Sequence, residues 1–220
     1  MIIGRYRSLL SGLFVALLVL LPVTQLNADT ATEAAPSVSP DQVIDQSYQS
    51  IQQKIEAQIL VPGMPEAQLL QLVEQELGQL FDFKRVSRKV MGKYARQASD
   101  VQLEQFDQVF KQTLVATYSK GLDSLELLKT VEIGETVYDR KKIRAKVPTL
   151  VILKDGQRFS VLYRMFLNDQ QQWRAENLIV EGINIGLVFR NQFAHYMEQH
   201  DDISKAIENW GQIATDKPAA

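Results

Sequence analysis

Apolar residues recur every three or four positions through the first half of the chain and again near its end, a pattern typical of amphipathic helices. Asp41 is a suitable N-cap for the first helix, and Pro62 ends it. Ser99 and Gln102 form a capping box that predicts another helix start. In all, the pattern predicts about six helices, close to residues 41–61, 66–80, 83–96, 100–120, 184–197 and 202–213.

After Thr130 the apolar period changes from between three and four to two, which is the period of a strand. Asp155-Gly156 is a strong hairpin signal between two such segments. We therefore predict an α+β fold of one domain, residues 41–214, in which helices cover a curved, four-stranded antiparallel meander sheet. The predicted strands are 131–138, 142–153, 158–167 and 173–180.

Two predicted strands are more apolar than a sheet with one solvated face requires. The stretch 148–153 reads PTLVIL, and 178–180 reads LIV, so neither keeps a polar side. One end of the sheet is therefore predicted to be buried on both faces. Periodicity leaves two explanations open, which are ordinary core packing and the lining of a cavity for an apolar ligand.

The first 28 residues have the layout of a secretory signal peptide. Arg5 and Arg7 precede a largely apolar stretch, 9–21, that is too short to span a bilayer comfortably, and a small-residue cleavage site ends at Ala28. Residues 29–40 are predicted to be a flexible segment, and 215–220 a C-terminal tail. We expect an exported protein in a bacterial periplasm.

Composition narrows the function classes. Without the leader, 22 basic and 26 acidic residues remain, a formal charge of −4 that argues against nucleic-acid binding. The chain has no cysteine, which excludes disulfides, thiolate nucleophiles and cysteine-ligated metals. His195 and His200 are not spaced to share a helical face, so no metal site is predicted.

Two basic runs stand out along the chain, in 84–96 and 140–146. The first could meet anionic head groups or an acidic partner, or it could be an ordinary solvated helix face. The second could be functional, or it could be a charged edge that discourages strand pairing.

Two stretches resemble the MlaC family of periplasmic phospholipid-binding proteins, also described as toluene-tolerance proteins. The first, 81–96, reads FDFKRVSRKVMGKYAR and is followed by the helix of Phe106 and Phe110. The second runs from Tyr163-Arg164 through Trp173 to Glu181-Gly182 and on to FRNQF at 189–193. Ala95, Asn177 and Asn184 depart from the residues common in that family.

The resemblance implies a periplasmic phospholipid carrier and no enzyme. It implies transport between an outer-membrane lipoprotein-porin complex and an inner-membrane ABC transporter complex, which maintains the lipid asymmetry of the outer membrane. No cofactor is expected besides phospholipid as cargo, and a shuttle is expected to be a monomer. We expect few polar contacts in the pocket and selection mainly by chain volume.

Face assignment places the pocket lining on both the helices and the sheet. The predicted lipid-contacting residues are Phe83, Val90, Phe110, Leu114, Val147, Val151, Val161, Tyr163, Met165, Ile179, Ile185 and Phe189. Residues predicted for the head-group mouth or a docking face are Arg85, Arg88 and Lys93.

Two other classes of function stay open from the residues alone. A small pocket enzyme of isomerase or hydrolase type could use Tyr163 or Glu181, although no nucleophile, base and orienting group stand at a recognisable spacing. A ligand-free scaffold protein of the envelope would instead use the surplus apolar surface as an interface.

Overall fold

The computed structural model describes residues 36, 38–61, 63–118 and 128–212, in which a block of helices is followed by a block of strands and then by two more helices. The predicted leader, the tail 215–220 and most of 29–40 lie outside these residues. The helices are α1 (Pro40–Glu56), α2 (Glu66–Leu80), α3 (Phe83–Met91), α4 (Asp100–Tyr118), α5 (Ile185–His200) and α6 (Ile203–Gln212), with a 3-10 turn at Gly92–Arg96. The strands are β1 (Leu128–Ile133), β2 (Val137–Tyr138), β3 (Arg144–Leu153), β4 (Arg158–Leu167), β5 (Trp173–Val180) and β6 (Ile183–Asn184).

Local sequence signals account for the helix starts. Ser99 and Gln102 form the predicted capping box before α4, with the backbone amide of Gln102 donating to Ser99 Oγ over 3.3 Å. The N-cap of the first helix is Ser39 rather than the predicted Asp41, so the helix begins two residues earlier than its predicted cap implies, at Pro40. Pro40 explains the difference, because its fixed φ suits the first helical position, where no amide hydrogen bond is needed.

The sheet has six strands in the described residues, not the four predicted. All pairings between strands are antiparallel, in the order β1-β3-β4-β5-β6, and β2 also pairs with β3. The predicted first strand is divided at Gly134, whose amide donates to the Pro148 carbonyl over 2.8 Å. A Cβ at Gly134 would lie only 3.0 Å from the Pro148 ring, so the close approach favours glycine.

Burial along β3 follows the two-sided pattern that the sequence predicted. Residues alternate between exposed and buried as far as Thr149, and all four from Leu150 to Leu153 are then buried or half-buried. The β5 strand ends in the same way, with four half-buried residues from Asn177 to Val180. These parts of β3 and β5 are therefore at least partly covered on both of their faces.

Two main groups of packed side chains hold the fold together. Helices α3 to α6 enclose Phe106, Phe110, Phe193 and Trp210, each no more than 1% exposed. A second group joins Ile44 of α1 and Leu80 of α2 to one face of the sheet. Strand β5 contacts α1, α2, α3 and α5, so it is the strand through which the sheet packs most widely on the helices.

Candidate functional site

An apolar cavity of about 540 Å³ lies between β5 and the helices α2, α3, α4 and α5. Only two of its lining residues, Glu176 and Asn177, have polar side chains. This composition and volume are typical of sites for apolar ligands. The lining consists of Leu69, Val73, Leu77, Phe81, Phe83, Val86, Phe110, Leu114, Val115, Glu176, Asn177, Leu178, Val180, Ile185, Gly186 and Phe189.

A β-bulge in β5 decides which of its side chains face the cavity. Met165 pairs with Ala175 and the preceding Arg164 pairs with Asn177, which leaves Glu176 as the extra residue. Because side chains alternate along a strand, the extra residue exchanges the two faces beyond it. Leu178 and Val180 therefore line the cavity and form the part of its wall that the sheet provides.

Glu176 is a buried carboxylate surrounded by three cations. Its Oε2 lies 2.8 Å from Arg85 Nε and 2.7 Å from Lys89 Nζ, and its Oε1 lies 2.8 Å from Arg144 Nη1. The Glu176 side chain is 4% exposed, whereas the three partners are 37, 45 and 51% exposed in that order. The cluster ties α3 to strands β3 and β5 beside the cavity.

The pKa values in this cluster follow from three cations sharing one carboxylate. Burial by itself raises the pKa of Glu176, but hydrogen bonds from Lys89 and Arg85 and the attraction of their charges together outweigh burial and lower the pKa from its ordinary value of 4.5. Burial lowers the pKa of Lys89, attraction to Glu176 raises it, and repulsion from Arg85 and Arg144 lowers it again, for a net decrease. The lowered pKa of Glu176 and the lowered pKa of Lys89 are both consistent with a cluster that has more positive than negative charge.

An amide network closes the junction between β5 and α5. Asn177 Nδ2 donates to Asn184 Oδ1 over 2.9 Å, and the Gly186 amide donates to Asn177 Oδ1 over 2.9 Å. Asn184 is also the N-cap of α5, accepting from the Leu187 amide over 3.0 Å. A Cβ at Gly186 would lie 2.5 Å from Asn177 Oδ1, so the network requires glycine there.

A basic cleft of about 890 Å³ adjoins the apolar cavity. Val86, Glu176, Asn177 and Gly186 line both. The cleft brings eight basic side chains together with two carboxylates, those of Asp82 and Glu176. Its basic residues are Lys84, Arg85, Arg88, Lys89, Lys93, Arg96, Arg164 and Arg190.

The predicted site residues divide between the cavity, the cleft and the cores. Those that line the cavity are Phe83, Phe110, Leu114, Ile185 and Phe189. Those predicted for the mouth or docking face, Arg85, Arg88 and Lys93, all line the cleft. Val90 belongs to the helical core, Val147 and Met165 to the sheet core, and Tyr163 packs against the sheet core.

Three other predicted lipid contacts lie elsewhere in the sheet. Val151 and Val161 are half-buried on the face that bears Val147, and Val161 pairs directly with the cavity residue Val180. Ile179 lies on the opposite face from Leu178 and Val180, because the bulge reverses the alternation from which it was predicted.

Sequence reasoning missed the contribution of α2 to the cavity and the role of Glu176. Leu69, Val73 and Leu77 are spaced by four, so the pattern showed that they share a helix face but not what that face covers. The sequence around Glu176 did not indicate a buried carboxylate, because a bulge has no distinct sequence pattern. The cations that surround Glu176 also come from distant positions in the chain. Arg190 reaches the cleft from α5, outside the basic runs.

The residues considered for an enzyme occupy different surroundings. Burial raises the pKa of Tyr163, which lies within the sheet. Glu181 is exposed in a turn with φ of 48°, and its carboxylate accepts from the Ser160 amide. Among the described residues, no group of three His, Cys, Asp or Glu side chains could hold a metal ion.

Comparisons with known proteins agree with the predicted family. The sequence model of the MlaC protein family matches residues 42–212. The chain is 35% identical over 150 residues to the toluene tolerance protein ttg2D of Pseudomonas putida, covering 66% of this chain and 67% of that protein. A phospholipid-binding protein from Ralstonia solanacearum, solved in complex with a phospholipid, superposes with a TM-score of 0.74 at 20% identity, over 81% of this chain and 98% of the other.

No helix in the described part of the chain is both long and apolar enough to cross a membrane. The match to the family model extends from α1 to the end of α6, and so includes both the cavity and the cleft. The curated relative and the shared fold are consistent with this match. The chain therefore belongs to the MlaC protein family.

Proposed function

We propose that this chain binds a phospholipid, with its acyl chains in the apolar cavity and its head group at the basic cleft. The observation that supports the proposal best is the arrangement of the two spaces, because a lipid needs an apolar and a polar site in direct contact. The Ralstonia solanacearum protein, which has the same fold, was solved with a phospholipid bound.

The energetics explain why a lipid requires a carrier between membranes. Two acyl chains have about 30 methylenes, and at ~0.8 kcal/mol each their exposure to water costs on the order of 20 kcal/mol. A cavity lined by Phe, Leu, Val and Ile side chains offsets this cost, because the chains never enter water. Release of the lipid at a membrane then requires the acyl chains to have a similar free energy in the protein cavity and in the bilayer.

We further propose that the protein carries lipid across the periplasm and so supports the lipid asymmetry of the outer membrane. An outer-membrane lipoprotein-porin complex and an inner-membrane ABC transporter complex are the proposed partners. The membership of the chain in the MlaC family supports this role, as does the predicted signal peptide at 1–28. A monomer suits a shuttle, because each molecule must present its mouth to both partners.

Mass spectrometry of an organic extract tests lipid binding directly. The protein is purified without detergent, and the extracted phospholipid is quantified against protein concentration. We expect close to stoichiometric phospholipid. Well-folded protein that gives a lipid-free extract would contradict the proposal.

A pair of adjacent substitutions then tests where the acyl chains lie. Leu178→Trp places a large ring in the cavity, and overpacking of about 1–3 kcal/mol corresponds to a loss of roughly 5- to 150-fold in lipid affinity. Ile179→Trp is the matched control, because it adds the same ring on the opposite face of β5. Equal lipid retention by the two folded variants would show that the chains do not occupy this cavity.

A further inference from the structure

The cations of the cleft are far more concentrated than the composition of the chain requires. The whole chain has a formal charge of −2, yet eight basic side chains and only two carboxylates line this one space. A concave space with walls of one charge focuses its field and attracts ions of the opposite sign.

Most of these cations are not neutralised by acidic neighbours. Arg85 and Lys89 are held by Glu176, and Lys84 lies 3.5 Å from Glu104. Across the described ranges, the other five cleft cations have no carboxylate within 4.0 Å. These five are Arg88, Lys93, Arg96, Arg164 and Arg190.

The carboxylates of the cleft are already occupied by the fold itself. Asp82 caps α3 by accepting from the Arg85 amide over 2.9 Å, and Glu176 is shared among three cations. The amides of Gly186 and Leu187 at the start of α5 donate to Asn177 and Asn184, so the side-chain cations must provide the attraction for an anion.

Local backbone geometry keeps one of these cations at the cleft. Gly92 has a φ of 60°, and a Cβ there would lie 3.0 Å from Cδ of Arg190. The aliphatic part of Arg190 therefore packs on the bare backbone of Gly92, while the residue lines the cleft. The left-handed backbone and the close approach both favour glycine at this position.

We propose that the basic cleft makes the protein select phospholipids with an anionic head group over zwitterionic ones. The inference rests on the proposed function, since acyl chains in the cavity would bring the head group to the residues that both spaces share. Both lipid classes have a phosphate that the cations attract. A zwitterionic head group also brings an ammonium into the same positive field, which repels it.

The expected preference is modest because the cleft is open to water. Charge interactions at exposed sites are worth up to about 1 kcal/mol, which corresponds to roughly a five-fold preference. Screening reduces it further, since the Debye length falls from about 10 Å at 0.1 M salt to about 3 Å at 1 M. The predicted selectivity therefore depends on salt, whereas selection by chain volume would not.

Competition within a single vesicle population tests this proposal. The mature protein is incubated with vesicles of equimolar dioleoyl phosphatidylglycerol and dioleoyl phosphatidylethanolamine, re-isolated and extracted. Identical acyl chains remove any effect of chain volume, and one mixed population makes docking to the vesicle equal for both lipids. We expect roughly five-fold enrichment of phosphatidylglycerol over phosphatidylethanolamine in the bound lipid at 0.1 M salt, and little enrichment at 1 M.

Charge-neutral variants assign the selectivity to the cleft. The test variant carries Arg88→Gln, Lys93→Gln and Arg190→Gln, and its enrichment should fall towards the lipid ratio of the vesicles. The control variant removes three exposed cations outside the cleft, with Lys141→Gln, Lys154→Gln and Lys205→Gln, and its enrichment should persist. The readout is the ratio within the bound lipid, so a change in total lipid does not alter it.

The possible outcomes separate this inference from the proposed function. Bound lipid at the vesicle ratio would overturn the selectivity and leave the carrier function intact, whereas wild-type protein without any lipid would overturn both. Enrichment that survives in the cleft variant would remove the cleft as its cause. If the cleft variant does not fold, the salt dependence of the wild-type protein still tests the proposal. Wild-type enrichment that stays the same at 1 M salt would overturn it.

Discussion

Replacing Glu176 by Gln should destabilise the protein more than any other single change of charge near the cavity. The carboxylate is 4% exposed and lies within 2.8 Å of a nitrogen atom in each of three cationic side chains. Gln has nearly the same shape, so packing stays largely constant while the negative charge is lost. The three cations would then repel each other around a neutral amide.

The expected loss can be bounded from the exposure of the partners. Removing one member of a buried ion pair costs about 3–5 kcal/mol. Arg85, Lys89 and Arg144 are 37, 45 and 51% exposed, so water screens part of their repulsion. We therefore expect a decrease of about 2–3 kcal/mol in the free energy of unfolding at neutral pH.

The same substitution should change how stability depends on pH. The pKa of Glu176 lies below its ordinary value of 4.5 in the folded protein, so its contribution to stability is present above that value. The contribution is lost as the pH falls through the lowered, folded-state pKa. The difference between wild type and Glu176→Gln should therefore shrink on acidification.

Urea denaturation followed by circular dichroism, on delipidated protein, measures both effects. Delipidation matters because a ligand that binds only the folded state adds to apparent stability. Glu208→Gln, at an exposed position of α6, is the control and should change stability by no more than about 0.5 kcal/mol. A loss below about 1 kcal/mol for Glu176→Gln, or a difference that grows on acidification, would refute the reasoning.

The remaining predictions concern two glycines and one core residue, each measured by the same denaturation. Gly186→Ala should cost about 1–3 kcal/mol, because the new Cβ lies 2.5 Å from Asn177 Oδ1 and breaks a half-buried amide network. Gly78→Ala, inside α2 with open space around it, should instead stabilise by up to about 1 kcal/mol, and equal effects at the two glycines would contradict the geometry. Phe193→Ala should cost about 3–5 kcal/mol, because the ring is fully buried with its centroid 4.8 Å from that of Phe106; a loss below about 1 kcal/mol would show that the site collapses.

Periodicity predicted the helices well because each has one apolar face and most begin at a recognisable cap. The correct cap at Ser99 and the error of two residues in the cap of the first helix, Ser39 instead of Asp41, both follow from local rules that act over about four positions. The sheet was harder to predict. The strand β6 has only two residues, too few to show alternation, and β2 was predicted as part of a first strand that Gly134 divides, so the sheet was expected to have four strands.

The candidate site shows a sharper limit of sequence reasoning. Positions 147, 161, 163 and 165 were assigned to one sheet face, and the strand register agrees. Ile179 lies on the opposite face from these positions, because one extra residue, Glu176, reverses every later position in β5. The grouping of eight cations in one cleft also depends on how α3, β4 and α5 meet, which no local pattern encodes.

The excess of positive charge around Glu176 links the stability of the fold to the proposed ligand. Lys89 keeps a lowered pKa because a single carboxylate does not offset both its burial and the two neighbouring guanidinium groups. A phosphate in the adjoining cleft would supply a second negative charge without replacing Glu176, and would favour the charged form of Lys89. An anionic head group should therefore stabilise the same contacts that join α3 to the sheet, so that lipid binding and folding reinforce each other.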